Sequence, residues 1–470
     1  MSETPSEPPP ARAGDSSVQV LDEAAPAPNG AYPRPHGFSG VWPPEVIEEI
    51  QEKAALGRYQ IRGQATKRQG LPSFDDLVFV PAGLSRMPLE GYREKCDTRV
   101  VIGEGNCENP LVLERPIMIA GMSFGALSVH AKRALGTAAS RCGISTCTGE
   151  GGMHHEERRY SDKLVMQYLP SRYGMNPYDL KKADMIEIGC GQGAKPGTGG
   201  VLLGLKMSDE VAEMRDLPEG VDQRSPCRHP DWMGADDLYM KLEEIREVTE
   251  YKVPLSIKVG AARIANDVRI AAKAGVDAIV FDGMEGGTAA SPTIQLDHAG
   301  IPTVAAIAEA AEALAEVGQK DRMKLIVGGG IRNGADAAKC IALGADVVYL
   351  GTAPIIAMGC HKPIYLEDYA RLGTSPYECQ HCHTGLCPVG ITTQLPKLME
   401  RLDVDEAADS VTNYLNALTM EIQLFARACG KNRVSDLDPN DLRALTHDVA
   451  MMTGVDMVGL GGRTPWWKKF

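Results

Sequence analysis

Three cysteines within nine residues, in the segment CQHCHTGLCPVG, are the densest chemistry in the sequence. Cys379, Cys382 and Cys387 read C-x2-C-x4-C, Pro388 follows the last of them, and Cys360 lies 19 residues before the first. Thiolates at such spacing hold metals. Zinc takes four on one ion, whereas a tight trio with a distant fourth and a proline after the last cysteine is the pattern of iron-sulfur ligation. We therefore read an iron-sulfur site, with zinc and unliganded thiols as the alternatives. The chain holds 12 cysteines, and several of the others sit in small-residue, apolar contexts such as RCGIS and AKCIALG. Those contexts suit buried thiols, so a disulfide framework is not indicated.

A second chemistry is carried by glycine-rich turns. In GGGIRNGADAAKC and GTAPI the glycines let backbone N–H groups approach an anion, and a helix beginning near Gly334 would add its positive end. This predicts a phosphate site, against the plainer reading of tight turns. Lys258 lies in the apolar run PLSIKVG, where a buried ammonium needs an anion or an electron-rich ring beside it. Gln192 and Lys195 lie in GCGQGAKPGTGG; residues 189–194 formally fit G-x-G-x-x-A, but Pro196 obstructs the helix a dinucleotide fold requires. His154 and His155 lack a third ligand at metal spacing and read as polar loop residues. An electron carrier beside a phosphorylated cofactor points to a flavin, which passes between one-electron and hydride chemistry.

The elements that must position these groups follow from hydrophobic patterning. Eight short apolar runs end in glycine-rich or polar turns: PIMIAGM, ISTCTGEGG, LVMQYLPS, DMIEIGCGQG, PLSIKVG, AIVFDGMEGG, KLIVGGG and VVYLGT. Amphipathic segments at 128–141, 236–248, 264–274, 301–317 and 334–342 alternate with them. Strand-then-helix repetition predicts an α/β chain with a (β/α)8 TIM barrel, whose chemistry collects at the C-terminal ends of the strands. The expected organisation is an arm without regular structure at 1–36, an N-terminal extension at 37–115, the flavin-binding barrel at 116–358, the iron-sulfur segment at 359–395, and a helical C-terminal segment and tail at 396–470. The extension should carry a helix in PPEVIEEIQEKAALGRY and short strands in DDLVFVP and TRVVIG, and the closing GRTPWWKKF reads as a docking tail or a packed terminus.

Composition removes other classes. A formal net charge of -13 over 470 residues, with no dense Lys/Arg block, leaves little basic surface for tracking nucleic acid. No apolar run approaches the roughly 18 residues a membrane span needs, and no signal peptide is evident, so a cytoplasmic protein is expected.

Taken together, MSFGALS, TGEGG, QGAKPGTGG, GGTAASP, HAGIP, GTAPIIAMGC and CHTGLCPVG, in that order, resemble the FMN and iron-sulfur synthase domain of the glutamate synthase large subunit, over residues 116–395. The resemblance implies an FMN held by Met122, Ser123, Gln192, Lys258, Gly287, Thr288, Gly329, Gly330, Gly351 and Thr352. It places Glu150, Lys195 and Arg172 at 2-oxoglutarate or its imine, where cations suit a dicarboxylate and a carboxylate handles protons. The family's three-iron cluster uses C-x5-C-x4-C, whose first cysteine matches Cys360. Here the spacer is longer and Cys379 is additional, so a 3Fe-4S cluster is preferred and a 4Fe-4S cluster stays open. Full-length members also carry a glutaminase that starts at a cysteine and a glycine-repeat β-helix. This chain opens Met1-Ser2, so it is expected to be a detached module. Such modules resemble the largest subunit of N-methylglutamate synthase, a three-subunit enzyme whose partners are a glutaminase-like chain and a glycine-repeat β-helix chain, and which converts methylamine and glutamate to N-methylglutamate. Ordinary glutamate synthesis from ammonia is the alternative.

Two other barrel classes share part of the pattern. IMP dehydrogenase-like barrels have the phosphate-site texture but no cluster ligands, and 2-hydroxy-acid oxidases bind FMN but need a His-Arg pair not found here. A non-catalytic electron-relay subunit is the remaining reading.

Overall fold

The computed structural model describes residues 41–91 and 93–460. The expected arm at 1–36 and the closing GRTPWWKKF lie outside them. Two compact units divide between Arg58 and Tyr59. In the first, Pro44–Leu56 is a helix, with proline at its start and Gly57 in the left-handed conformation ending it.

The second unit is a parallel eight-stranded barrel. Its strands are β1 (Ile117–Ile119), β2 (Thr146–Cys147), β3 (Leu164–Tyr168), β4 (Met185–Gly189), β5 (Leu255–Gly260), β6 (Ala278–Asp282), β7 (Lys324–Gly328) and β8 (Val347–Leu350). Each pairs with its sequence neighbours, β8 returns to β1, and a parallel bridge between Met118 and Ser145 closes the ring. The eight apolar runs of the sequence are these eight strands. The predicted helices appear as Val129–Arg141, Ala235–Val248, Ile264–Ala274, Thr303–Glu316 and Gly334–Ala342.

Alternation along the strands separates two cores. Met118, Cys147, Val165, Met185, Val280, Ile326, Val347 and Tyr349 pack together inside the barrel, while their odd-step neighbours, such as Ile186, Ile188, Ile257 and Phe281, pack against the helices. An antiparallel hairpin of Val100–Ile102 and Leu111–Leu113 joins the inner core. Leu113 and Ile102 are fully buried there, so truncating Leu113 to alanine should cost about 2–5 kcal/mol.

Segments flanking the barrel are bound into the same unit. Ile61–Gln64 pairs antiparallel with Thr288–Pro292, just beyond β6, and Leu77–Phe79 pairs with Leu442–Ala444. The 25-residue helix Val404–Ala428 buries Ala407, Ala408, Val411, Leu415, Leu418, Ile422 and Ala426, a stripe at helical spacing, and Asp403 caps its start by accepting from the Glu406 amide at 2.9 Å. Among the described residues no helix is long and apolar enough to cross a membrane.

Candidate functional site

At the C-terminal ends of the strands lies a cavity of about 640 Å³. Met122 and Ser123 reach it from β1, Glu150 from β2, Gln192 and Lys195 from β4, Lys258 from β5, Gly287 and Thr288 from β6, Gly329 and Gly330 from β7, and Gly351 and Thr352 from β8. Residues from six of the turns thus share one space because parallel strands deliver every turn to the same rim.

Lys258 has the partners its burial demands. Its Nζ lies 3.2 Å from Asp282 Oδ2 and 4.6 Å from the centre of the Tyr349 ring. Burial opposes its charge, but the carboxylates of Asp282 and Glu187 outweigh it and hold the ammonium above the usual lysine range. Glu187 is fully buried inside the barrel, where Gln167 Nε2 donates to its Oε1 at 2.6 Å and its Oε2 meets no hydrogen-bond geometry among the described residues; burial pushes its carboxyl up.

Lys195 is held differently. Its Nζ donates to the Ala290 carbonyl at 2.6 Å and to Thr288 Oγ1 at 3.2 Å, and burial brings its pKa down to about 8 against the opposing pull of Glu150. Glu150 faces it from β2 with one oxygen, Oε1, accepting from both Ser171 Oγ, at 2.7 Å, and Ser225 Oγ. Gly200 packs over the other oxygen, since a Cβ there would lie 2.4 Å from Glu150 Oε2. A carboxylate so oriented can accept a proton within the cavity while the buried ammonium attracts an anion.

Arg172 does not line this cavity. Its guanidinium lies over the Tyr168 ring at 3.9 Å, donates to Asp231 Oδ1 at 2.8 Å, and meets His229 Nδ1 at 3.0 Å. His229 Nε2 in turn contacts the Gly189 carbonyl at 2.9 Å, so the group braces the end of β4. Arg215 does line the cavity, fully buried, donating to the carbonyls of Phe124 at 2.6 Å and Glu150 at 3.1 Å and to Gln223. Lys132 supports the same rim from below: its Nζ donates to the carbonyls of Met122 and Thr148 at 2.7 and 3.2 Å and pairs with buried Glu157.

The glycine-rich turns after β7 and β8 form one wall. Gly329 has φ +104°, and a Cβ there would lie 2.6 Å from Thr303 Oγ1, so only glycine fits. The helix Gly334–Ala342 does not offer its first amide: Gly334 N–H donates to Glu421 Oε2 at 2.6 Å, and Asn333 caps the Asp336 amide at 2.9 Å. The residues of this wall that could meet an anion are therefore those of the turn, Gly329 and Gly330, with the neighbouring Arg332, whose guanidinium is also tied to Asp75 at 2.7 Å.

Cys360, Cys379, Cys382 and Cys387 line a second, small cavity together with Gln64, Tyr369 and Thr392. Among the described residues no three His, Cys, Asp or Glu side chains converge as a group for a single metal ion. The four thiols ring a space instead. Burial pushes the Cys382 thiol up to about 12, and the charges of Cys387 and Cys379 add to it; the Cys360 thiol is raised by burial and by the same neighbours. A donor set of four soft thiols about one small space fits a sulfur-bridged iron cluster, whose irons would offset part of the thiolate charge that burial disfavours. The buried Lys206 stands beside it, donating to the carbonyls of Ala126 at 2.6 Å and Cys382 at 3.0 Å. Gln64, Cys382 and Thr392 line both cavities, so the two spaces share a wall.

Residues 73–432 match the family model described as the conserved region in glutamate synthase. The chain belongs to the glutamate synthase family. It is 54% identical to a "Glutamate synthase large subunit-like protein" of Rhizobium meliloti strain 1021, over 90% of this chain and 94% of that protein. It is 35% identical to an "Archaeal glutamate synthase [NADPH]" of Methanocaldococcus jannaschii, over 85% of this chain and 80% of that protein. Among solved structures, the flavin-binding domain of baker's yeast flavocytochrome b2 is similar at TM-score 0.50 and 17% identity, covering 86% of this chain and 84% of that one; at that identity the likeness speaks for the barrel fold alone.

Several residues of this glutamate synthase site carried no signal in the sequence. Gln64 lies 52 positions before Pro116, where the quoted motifs begin; Arg215 ends the short helix Asp209–Arg215 and Ser225 follows it, both in the long segment between β4 and β5 where no motif was quoted. Asp282, the last residue of β6, was readable in principle, because an acidic residue closing an apolar strand at the catalytic rim is the partner a buried Lys258 requires.

Proposed function

We propose that this chain is the FMN- and iron-sulfur-dependent synthase subunit of a glutamate synthase-type enzyme that reduces the imine formed by 2-oxoglutarate and an amine. The observation that carries the reading is the shared wall: the larger cavity, with its glycine turns and the Lys258–Asp282 pair, abuts the ring of four thiols through Gln64, Cys382 and Thr392. In the larger cavity Met122, Ser123, Gln192, Lys258, Gly287, Thr288, Gly329, Gly330, Gly351 and Thr352 would hold FMN, which supplies hydride transfer to the imine carbon when bound. Cys382 and Cys387, with Cys360, Cys379 or both, would hold the cluster, preferably 3Fe-4S.

The chain's own residues then bind and orient. Buried Lys195 draws a substrate carboxylate into a site where water competes poorly, and Arg215 adds a second positive charge behind Glu150. Glu150, fixed by Ser171 and Ser225, accepts or returns the proton at the substrate nitrogen. Arg172, stacked on Tyr168 and paired with Asp231, acts on the substrate only through the position of Gly189 and the loop after it.

For the amine we propose methylamine, with glutamate as the other substrate and N-methylglutamate and ammonia as products: glutamate loses two electrons and ammonia to give 2-oxoglutarate, and its imine with methylamine takes the two electrons back. The setting is the cytoplasm, in a complex with a glutaminase-like chain and a glycine-repeat β-helix chain. The stand-alone resemblance supports this; the glutamate synthase names of the relatives favour ammonia as the second reading. Purification from the source with its co-purifying chains, followed by flavin and iron analysis and turnover with methylamine against ammonia, decides. Methylamine-dependent product supports the first reading and ammonia-dependent glutamate the second; material without flavin or iron at full turnover sinks both.

A further inference from the structure

Gln64 occupies an unusual position for a residue so far from the quoted motifs. The ribbon of Ile61–Gln64 and Thr288–Pro292 loses register between Arg62 and Gln64, the signature of a bulge, and Gln64 itself has φ +67°. A non-glycine residue in that region is strained and persists only where its surroundings impose it. Here they do. Gly63 N–H donates to the Gln380 carbonyl at 2.9 Å, and Gly63 lies so close to the cysteine segment that a Cβ would sit 2.8 Å from Cys382 Cβ. Arg62 anchors the other side of the bulge, donating to both carboxylate oxygens of Asp297 at 2.8 and 2.9 Å and to Gln380 Oε1 at 3.4 Å.

The bulge aims the Gln64 amide between two of the four thiols. Its Nε2 lies 3.7 Å from Cys382 Sγ and 4.0 Å from Cys360 Sγ, lengths that reflect the larger radius of sulfur. The same side chain lines the larger cavity. We propose that Gln64 is a positioning residue for electron flow: by donating N–H bonds to Cys360 and Cys382 at the wall between the cavities, it raises the reduction potential of the cluster those thiolates hold.

The physical basis is charge. Reduction adds one electron to an already anionic thiolate assembly, and an N–H dipole directed at the sulfurs stabilises the more negative state. Without the donor, the reduced form is the one that loses. The proposal rests on the iron-sulfur reading given above, and it also assigns Cys360 rather than Cys379 alone to the electronically coupled ligand set.

The test is a potentiometric titration, followed by electron paramagnetic resonance, of the holo-complex carrying wild-type chain, Gln64→Leu or Gln64→Glu, with iron and acid-labile sulfide measured on each. Gln64→Glu keeps the length and shape of the side chain while replacing the donor with a negative charge, and Gln64→Leu removes the donor with an apolar side chain one atom shorter. The expected result is unchanged iron content with the reduction equilibrium shifted about tenfold towards the oxidised form in Gln64→Leu, equivalent to about 59 mV for one electron, and further in Gln64→Glu. Equal potentials in iron-loaded proteins would overturn this inference alone. Loss of iron from both variants would overturn it in favour of a purely structural role, and a wild-type chain without iron would remove the cluster reading and this inference with it.

Discussion

Lys258 and Asp282 form an ion pair of 3.2 Å at the rim of the barrel, with both side chains largely withdrawn from water. Glu187, deeper in the same interior, has one oxygen bonded to Gln167 and the other without hydrogen-bond geometry to any described residue. The lysine therefore offsets two carboxylates. Replacing it leaves buried negative charge uncompensated, which in comparable pairs costs about 3–5 kcal/mol. Lys258→Met should lower stability by that order in chemical denaturation, and adding Glu187→Gln should restore part of it. A double variant no more stable than the single one would show that the two groups are uncoupled.

Lys195 should make substrate affinity depend on pH. Its folded pKa of about 8 lies below the ordinary 10.5 of lysine, so its charge fades as pH rises through about 8. The sign for stability is opposite to that for binding: the cost of burying the ammonium is full below about pH 8 and is relieved as pH climbs towards 10.5. KM for 2-oxoglutarate should accordingly climb above about pH 8, and Lys195→Ala should raise it at every pH and abolish the dependence. A flat KM between pH 7 and 9.5 in the wild-type enzyme would contradict the assignment.

Glu150 gives a separate handle. Glu150→Gln preserves shape and hydrogen bonding to Ser171 and Ser225 but removes the proton acceptor, so kcat should fall by about 10²–10⁴-fold with stability unchanged. Ser225→Ala should produce a smaller loss, since one of two orienting hydroxyls remains. Steady-state kinetics beside a melting curve distinguish a chemical defect from a folding one.

Gly63 tests the close approach of the ribbon to the cysteine segment. Alanine there would meet Cys382 Cβ at 2.8 Å and the Ala289 carbonyl at 3.1 Å, so Gly63→Ala should destabilise by about 1–3 kcal/mol and reduce iron retention. Gly83→Ala, with nothing among the described residues within 4 Å of the added carbon, is the control and should be close to neutral in both measurements.

Acid should loosen the end of β4. Burial holds His229 neutral with a pKa lowered to about 4 from the usual 6.5, and it contacts Arg172 and the Gly189 carbonyl. The unfolded chain takes up a proton at this site before the folded one does, so stability falls as pH drops from about 6.5 through about 4. His229→Asn should be less stable at pH 7 but show a shallower decline over that window in thermal melts.

The sequence by itself determined the barrel. Eight apolar runs closed by glycine turns have few ways to satisfy their backbone except as neighbouring parallel strands, and that arrangement carries Met122, Glu150, Lys195, Lys258 and Gly329 to one rim without any knowledge of side-chain packing. The cysteine spacing likewise marked one segment as chemically distinct. Tertiary structure alone decided which charges face the cavity and which are used up elsewhere. Arg172 and Arg215 are indistinguishable as letters, yet the first is spent on Asp231 and Tyr168 while the second is buried behind Glu150. The amide of Gly334 looked available and is taken by Glu421, 87 residues away. Gln64 reaches Cys360 and Cys382 across 296 and 318 positions through a bulge that no local pattern announces. Periodicity reports which face of a strand or helix is buried, a local property; partner choice for a buried charge or donor depends on segments brought together only when the chain closes on itself.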